Sequence, residues 1–222
     1  MRTTRQNVGT PFTLLTLSVQ HTLGRITAPN LRTRARGRFT LLKALPKRSA
    51  GAEIGVWKGS FSRLLIETLN PRTLYLIDPW RLSSQDRPVL PRSKDGTSLN
   101  IRGETITSQA DLDEIYLSVQ HELGGLPGTN VIRATSLEAA DKVPNGSLDW
   151  VYLDGSHYYE DVKNDLSAWT PKLIKSGIMC GDDYYWRDPN GLYTVKQAVD
   201  EYIATMKPSH WSVYKSQFVI YI

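Results

Sequence analysis

From residue 51 onward, short apolar runs alternate with stretches whose apolar positions recur every three or four residues. This is the pattern of β-α units wound around a parallel sheet. A first strand is predicted at 52–56. Phe61, Leu64, Leu65 and Leu69 then share one helix face, which Asn70-Pro71 ends, and a second strand is predicted at 74–77. Residues 79–110 break the rhythm, being rich in Pro, Ser, Arg, Asp and Gly without sustained periodicity. Connections of that length tend to be lids or binding elements, so 79–110 is the candidate substrate lid. Leu112, Ile115, Tyr116 and Val119 restore a helical face that closes near Gly124-Gly125. Strands are predicted at 131–134 and 148–153, then a helix carrying Val162, Leu166 and Trp169, stopped by Thr170-Pro171. Gly177 opens a strand at 178–180, and Val195, Ala198, Val199, Tyr202, Ile203 and Met206 form the clearest helical stripe before Pro208. The runs 211–214 and 218–222 have only Lys215-Ser216-Gln217 between them, too few residues for a parallel crossover and enough for an antiparallel hairpin. The expected architecture is α/β, a seven-stranded, mostly parallel sheet with a C-terminal antiparallel hairpin and helices on both faces. Trp150 and Trp169 read as core.

At 222 residues the chain suits one domain, and no apolar run approaches the roughly 20 residues that span a bilayer. Its single cysteine, Cys180, cannot form an intramolecular disulfide, which fits a reducing compartment, and a cytoplasmic protein is expected. Charge changes the picture at one end. Residues 1–48 hold ten of the 27 Lys and Arg and none of the 22 acids, so the net charge of +5 resides there and the remainder is net negative. A basic N-terminal extension, partly helical or flexible, is therefore expected at 1–48, ahead of a domain at 49–222. Such an arm can touch nucleic acid, anionic lipid or a phosphorylated substrate, or it can be a solvated leader.

Candidate chemistry gathers at strand ends. The segment Glu53-Ile-Gly55-Val-Trp57-Lys-Gly59-Ser60 runs from the first strand into a helix, where glycines let backbone approach a ligand and aim amide donors outward. It resembles motif I of class I methyltransferases, E-x-G-x-x-x-G, and departs from G-x-G-x-x-G, whose glycines accommodate a pyrophosphate. The resemblance implies S-adenosylmethionine as ligand, with Trp57 flanking its methionine moiety. Asp78 ends the second strand, where doubly wound folds place an acid on ribose hydroxyls; as a turn former ahead of Pro79 it has a second reading. Asp154, Asp182 and Asp183 lie just past two further strands. Grouped carboxylates need a cation, a proton or a basic group to neutralise them. Hard oxygen ligands point to Mg²⁺ or Mn²⁺ rather than zinc. His157 follows Asp154 by three residues and is the candidate general base; the alternative is a helix-start histidine bonded to backbone. Tyr158, Tyr159, Tyr184, Tyr185 and Trp186 are candidates to line an acceptor pocket.

From about residue 52 to the C-terminus the chain resembles the bacterial class I group catalogued as methyltransferase family 24. The resemblance is carried by Asp78-Pro-Trp80, Leu148-Asp-Trp-Val-Tyr-Leu-Asp-Gly-Ser-His157, Asp165-Leu-Ser-Ala-Trp-Thr-Pro-Lys172, Gly181-Asp-Asp-Tyr184 and Val195-Lys-Gln-Ala-Val-Asp-Glu201. Related macrocin-type sugar O-methyltransferases use one acid after the fourth strand and paired acids after the fifth to hold Mg²⁺, which implies Asp154, Asp182 and Asp183 as ligands. Ser136 stands where the family meets the adenine ring. The chain departs from both patterns, since simpler members carry Gly-His-Asp-Tyr at 181–184 and macrocin-type enzymes often lack a counterpart of His157. The resemblance implies a Rossmann-like class I methyltransferase that binds the donor through Glu53, Gly55, Trp57, Gly59, Asp78, Ser136 and Asp154. It would methylate a hydroxyl of a sugar, glycan or small molecule, with His157, Asp154 and a divalent metal at the reacting end. The alternatives are an RNA-directed methyltransferase using the basic arm and a non-catalytic nucleoside-binding module. A homo-oligomer is allowed for, and the acceptor is set by pocket detail that sequence leaves open.

Overall fold

The computed structural model describes residues 29–82, 99–101 and 104–222. Helix α1 (Pro29–Leu42) leads to β1 (Ala50–Ile54), α2 (Ser60–Leu69) and β2 (Thr73–Asp78). A small antiparallel pair, β3 (Leu99–Ile101) and β4 (Glu104–Ile106), precedes α3 (Gln109–Leu123), β5 (Thr129–Arg133), the short α4 (Ser136–Ala140) and β6 (Leu148–Leu153). The chain closes with α5 (Tyr159–Trp169), β7 (Leu173–Gly181), α6 (Thr194–Met206), β8 (His210–Tyr214) and β9 (Gln217–Tyr221). The main sheet has seven strands in the order β5-β2-β1-β6-β7-β9-β8. The first five are mutually parallel, while β9 runs antiparallel to β7 and β8 antiparallel to β9. The predicted seven-stranded architecture and its terminal hairpin are both present.

Side chains alternate between the faces of buried parallel strands, and each face has its own core. Trp150 and Tyr152 of β6, Ile178 and Cys180 of β7 and Leu74 and Leu76 of β2 meet Phe61, Leu65 and Leu69 of α2 and Leu112, Val119 and Leu123 of α3. Val151, Leu153, Met179, Phe218 and Ile220 meet Val162, Leu166 and Trp169 of α5 and Val195, Ala198 and Val199 of α6. Trp150 and Trp169 are fully buried, as expected of core residues. Leu41, Leu42 and Leu45 belong to the α2-α3 core, so the end of the N-terminal segment is integral to the domain.

Several boundaries move for identifiable reasons. β1 ends at Ile54 rather than 56 because Gly55 takes φ 93°, outside the strand region. β7 starts at Leu173, ahead of the predicted 178, through the partly exposed Ile174-Lys175-Ser176 and a register shift opposite Leu148 and Trp150. Within the 79–110 connection, β3 and β4 are three residues each, too short to show a period; residues 83–98 and 102–103 of the expected lid lie outside the described residues. Helix α4 also escaped the periodicity reading, although Thr135 and Glu138 form its capping box.

Sheet order determines where a ligand can enter. The chain winds from β1 outward to β2 and β5, then returns to β6 and β7 on the other side, so its topological switch lies between β1 and β6. The two strand ends are tied there, with Asp154 N donating to Ile54 O at 2.8 Å, while Gly55 N donates to Ile77 O of β2 at 2.8 Å on the other side. A Cβ on Gly55 would lie 2.2 Å from Asp154 O, so only glycine permits this approach.

The burial of Leu42, 2% exposed, gives a direct test of the role of α1. Leu42→Ala is expected to lower the unfolding free energy by about 2–4 kcal/mol, measured from urea midpoints; a segment detached from the core would leave the midpoint unchanged.

Candidate active site

Of the donor-side residues, Glu53 lies deepest. Strand alternation turns it into the α2-α3 core, where it is fully buried between register partners Leu76 and Tyr152. Ser62 of α2 donates its hydroxyl to Glu53 Oε2 at 2.5 Å, and Oε1 has no hydrogen-bond partner. Burial lifts its pKa to about 8, against the opposing effects of the Ser62 hydrogen bond and the nearby Arg38 charge.

Beyond Gly55 the turn is held by Asp78. Its Oδ2 accepts from Trp57 N at 2.9 Å and its Oδ1 from Trp80 N at 2.9 Å, while Trp80 Nε1 donates to Trp57 O. Burial raises the Asp78 carboxyl above its ordinary value despite these backbone donors. Asp78 thus acts as a turn former. Trp57 at φ 53° and Trp80 at φ 37° lie in the left-handed region, where non-glycine residues store strain that surrounding bonds must hold. Gly59, at φ 71°, precedes α2, where a Cβ would meet Leu123 at 2.9 Å. An open groove of about 380 Å³ runs past the ends of β2 and β5, bordered by Pro79, Arg81, Gln109, Arg133, Thr135 and Glu138. Ser136 is engaged elsewhere, its hydroxyl accepting from Trp169 Nε1 at 2.8 Å and bonding the buried Asp165.

The other half of the site is charged. Parallel pairing of β6 with β7 sets Leu153 beside Gly181, so Asp154 and Asp182-Asp183 emerge side by side, and Asp182 N donates to Leu153 O at 3.0 Å. Two arginines of α1 reach all three acids. Arg34 Nη2 donates to Asp154 Oδ1 at 3.0 Å and to Asp183 Oδ2 at 3.1 Å. Its Nε approaches Asp182 Oδ2 at 2.7 Å without hydrogen-bond alignment, a charge contact only. Arg38 Nη2 donates to Asp154 Oδ2 and lies 3.2 Å from Asp182 Oδ2, with its guanidinium 4.6 Å above the Phe61 ring. Burial opposes the charge on both arginines but is outweighed by the neighbouring carboxylates Asp154 and Asp182, so both are held more firmly protonated than usual. Burial and the two neighbouring acids push Asp182 up, while Asp183, also opposed by burial, is drawn down by His157 and Arg34. Removing one partner of a buried pair of this kind costs about 3–5 kcal/mol.

His157 Nε2 lies 2.8 Å from Asp183 Oδ2, and its ring rests 5.0 Å from that of Trp186. The His157 carbonyl accepts from Thr194 at the start of α6, fixing the loop. Among the described residues, Asp154, His157 and Asp183 offer ligand atoms within 4.8 Å of one another, so the acidic set expected from sequence converges with His157 in Asp182's place. These donors suit a hard divalent ion, but the cationic place is taken: with α1 docked, a guanidinium sits against every carboxylate of the cluster. Of the aromatics, Trp186 stays beside His157 and Tyr185 is exposed. Tyr159 and Tyr184 turn instead to α6, their hydroxyls bonding Glu201 and Asp200. Arg34 and Arg38 were missed by sequence reasoning; a signal existed, because positions 34, 38, 41, 42 and 45 form one helical stripe in which two charges continue three leucines.

Residues 52–184, more than half of the chain, match the family described as a methyltransferase domain. The chain belongs to the methyltransferase-domain family. This methyltransferase-domain protein is 26% identical over 172 residues to the uncharacterized protein R132 of Acanthamoeba polyphaga mimivirus, matching 75% of this chain and 65% of that protein. It is 35% identical over 72 residues to the uncharacterized protein y4gI of Sinorhizobium fredii, matching 32% of this chain and 8% of that one. Among solved structures it is similar to the O-methyltransferase NovP, with TM-score 0.57, 16% identity and coverage of 86% and 79% of the two chains. It is also similar to a Corynebacterium glutamicum protein, with TM-score 0.55, 17% identity and coverage of 96% and 97%. A SAM-dependent methyltransferase of Aquifex aeolicus gives TM-score 0.52 and 13% identity, covering 90% and 96%. At these identities the likeness shows the fold alone.

Buried Glu53 makes stability pH-dependent. Its ordinary value is 4.5 and its native value about 8, so the native state keeps a proton that the unfolded chain releases, and stability falls as pH rises between the two. Asp165, raised by burial to about 7, adds a slope of the same sign. Urea midpoints measured at about pH 5 and pH 8 should therefore drop less in Glu53→Gln than in wild type; an unchanged drop would remove Glu53 as the source.

Proposed function

We propose that this protein transfers the methyl group of S-adenosylmethionine to a hydroxyl of a small molecule, sugar or glycan. The observation that carries the reading is the His157-Asp183 pair at the same strand edge as the glycine turn and Asp78. Glu53, Gly55, Trp57, Gly59 and Asp78, the proposed donor set, lie at or just past the ends of β1 and β2, next to the switch between β1 and β6. A sulfonium supplies an already activated methyl group, so the protein's work is to align the acceptor and remove its proton. Asp183, held below the usual carboxylate range, is an acceptor only. His157 Nε2 therefore carries the hydrogen of their bond, and Nδ1 keeps the lone pair that takes the acceptor's proton. Asp154, between the glycine turn and His157, borders both halves. Trp186 beside His157 and the exposed Tyr185 suit stacking against a sugar or aromatic acceptor. The Mg²⁺ or Mn²⁺ assistance implied by Asp154, Asp182 and Asp183 requires displacement of α1's arginines, and no step of this reading runs through it. Arg34 and Arg38, turned inward, are spent on carboxylates rather than presented to an RNA phosphate.

Calorimetry should show S-adenosylhomocysteine binding to the full chain, and its failure to bind folded protein would remove the enzymatic reading. With an acceptor found from a panel of hydroxyl compounds, His157→Ala is expected to cut kcat by about 10²–10⁴ while leaving donor affinity within about two-fold. Donor binding without turnover on any acceptor would favour a nucleoside-binding module.

A further inference from the structure

We infer that Arg34 and Arg38 are the resident counter-ion of the carboxylate cluster: their guanidinium groups take the place a divalent ion would need, and the cluster admits such an ion only when they are removed. Two unit positive charges match the charge of one divalent ion, and they are delivered to the same residues, Asp154 and Asp183 among them. Asp183 Oδ2 already accepts from Arg34 Nη2 and lies 2.8 Å from His157 Nε2. Both Asp154 oxygens accept from guanidinium groups, Oδ1 from Arg34 and Oδ2 from Arg38.

The arginines are also hard to displace. The Arg38 side chain is 12% exposed and sits over Phe61, one turn ahead of the buried Leu41 and Leu42. Swinging it out would take the guanidinium donor from Asp154 Oδ2 and one of the two charge contacts from the buried Asp182, which is unfavourable. Arg34, 30% exposed, closes the mouth of the cluster and is the more easily removed. An arginine fork suits carboxylates geometrically and stays charged at all working pH values, so it can serve as a permanent cation.

The test uses the full-length protein and MnCl₂, with free Mn²⁺ followed by its electron paramagnetic resonance signal. Arg34→Gln/Arg38→Gln should bind Mn²⁺ at least about ten-fold more tightly than wild type, with Arg34→Gln between them. The wild-type melting temperature should be unchanged by EDTA or added Mn²⁺. Should the double variant fail to fold, Arg34→Gln and the wild-type melts decide. Wild-type Mn²⁺ binding as tight as in Arg34→Gln, or a wild-type melting temperature that falls in EDTA, would overturn the inference. S-adenosylhomocysteine binding, measured on the same samples, reports separately on the methyltransferase reading: its loss sinks that reading, whereas the Mn²⁺ result bears on the arginines alone.

Discussion

Three carboxylates placed at the tips of two neighbouring parallel strands repel one another, and the site can form only if positive charge is brought to them. The pairing of β6 with β7 forces the problem by setting Leu153 against Gly181, which leaves Asp154 and Asp182-Asp183 no separation. Helix α1 answers it. Arg34 and Arg38, four residues apart and so on one helix face, reach the cluster together, and leucines on the same face anchor the helix in the α2-α3 core. Charge compensation and hydrophobic burial are therefore one docking event.

The two halves of the site are built by different means. On the β1, β2 and β5 side, backbone geometry dominates: a glycine at positive φ, a carboxylate spent on amide donors, and two tryptophans in left-handed conformations locked to each other. On the β6 and β7 side, charged side chains dominate, and their protonation depends on one another. Glu53 joins the halves from below, since it lies in the core beneath the turn yet feels Arg38 and Asp154.

Much of this was legible in the sequence. Parallel strands buried on both faces appear as continuous apolar runs, and the longer helices between them carry clear stripes, so the order along the chain of the seven sheet strands and the terminal hairpin follow from pattern alone. The edge on which Glu53, Asp78, Asp154 and Asp182-Asp183 gather follows from their positions at strand ends. What neutralises the acids does not, because Arg34 pairs with residues 120 and 149 positions away in the chain. Summing the basic charge of residues 1–48 also hid its arrangement: a bulk excess suggests an outward-facing arm, whereas the spacing of two members within a leucine stripe points inward. Side-chain direction was the other loss. Ser136, Tyr159 and Tyr184 lie near the predicted edge in sequence, yet each hydroxyl is turned to a helix partner.

One oxygen links these features. Asp183 Oδ2 meets both His157 and Arg34, so the group that orients the imidazole is also a group that holds α1 in place. Asp183 adopts φ 59° to present it, and its own amide donates to Asp182 Oδ1 at 2.7 Å, so the strained turn is held by the neighbouring acid. A histidine at this position without the arginines would face two additional uncompensated acids, and its ring would be drawn toward whichever charge was least screened. With them, the carboxylates are divided among guanidinium donors, and the imidazole pairs with Asp183. The basic segment ahead of β1 is thus part of what gives the candidate base its orientation.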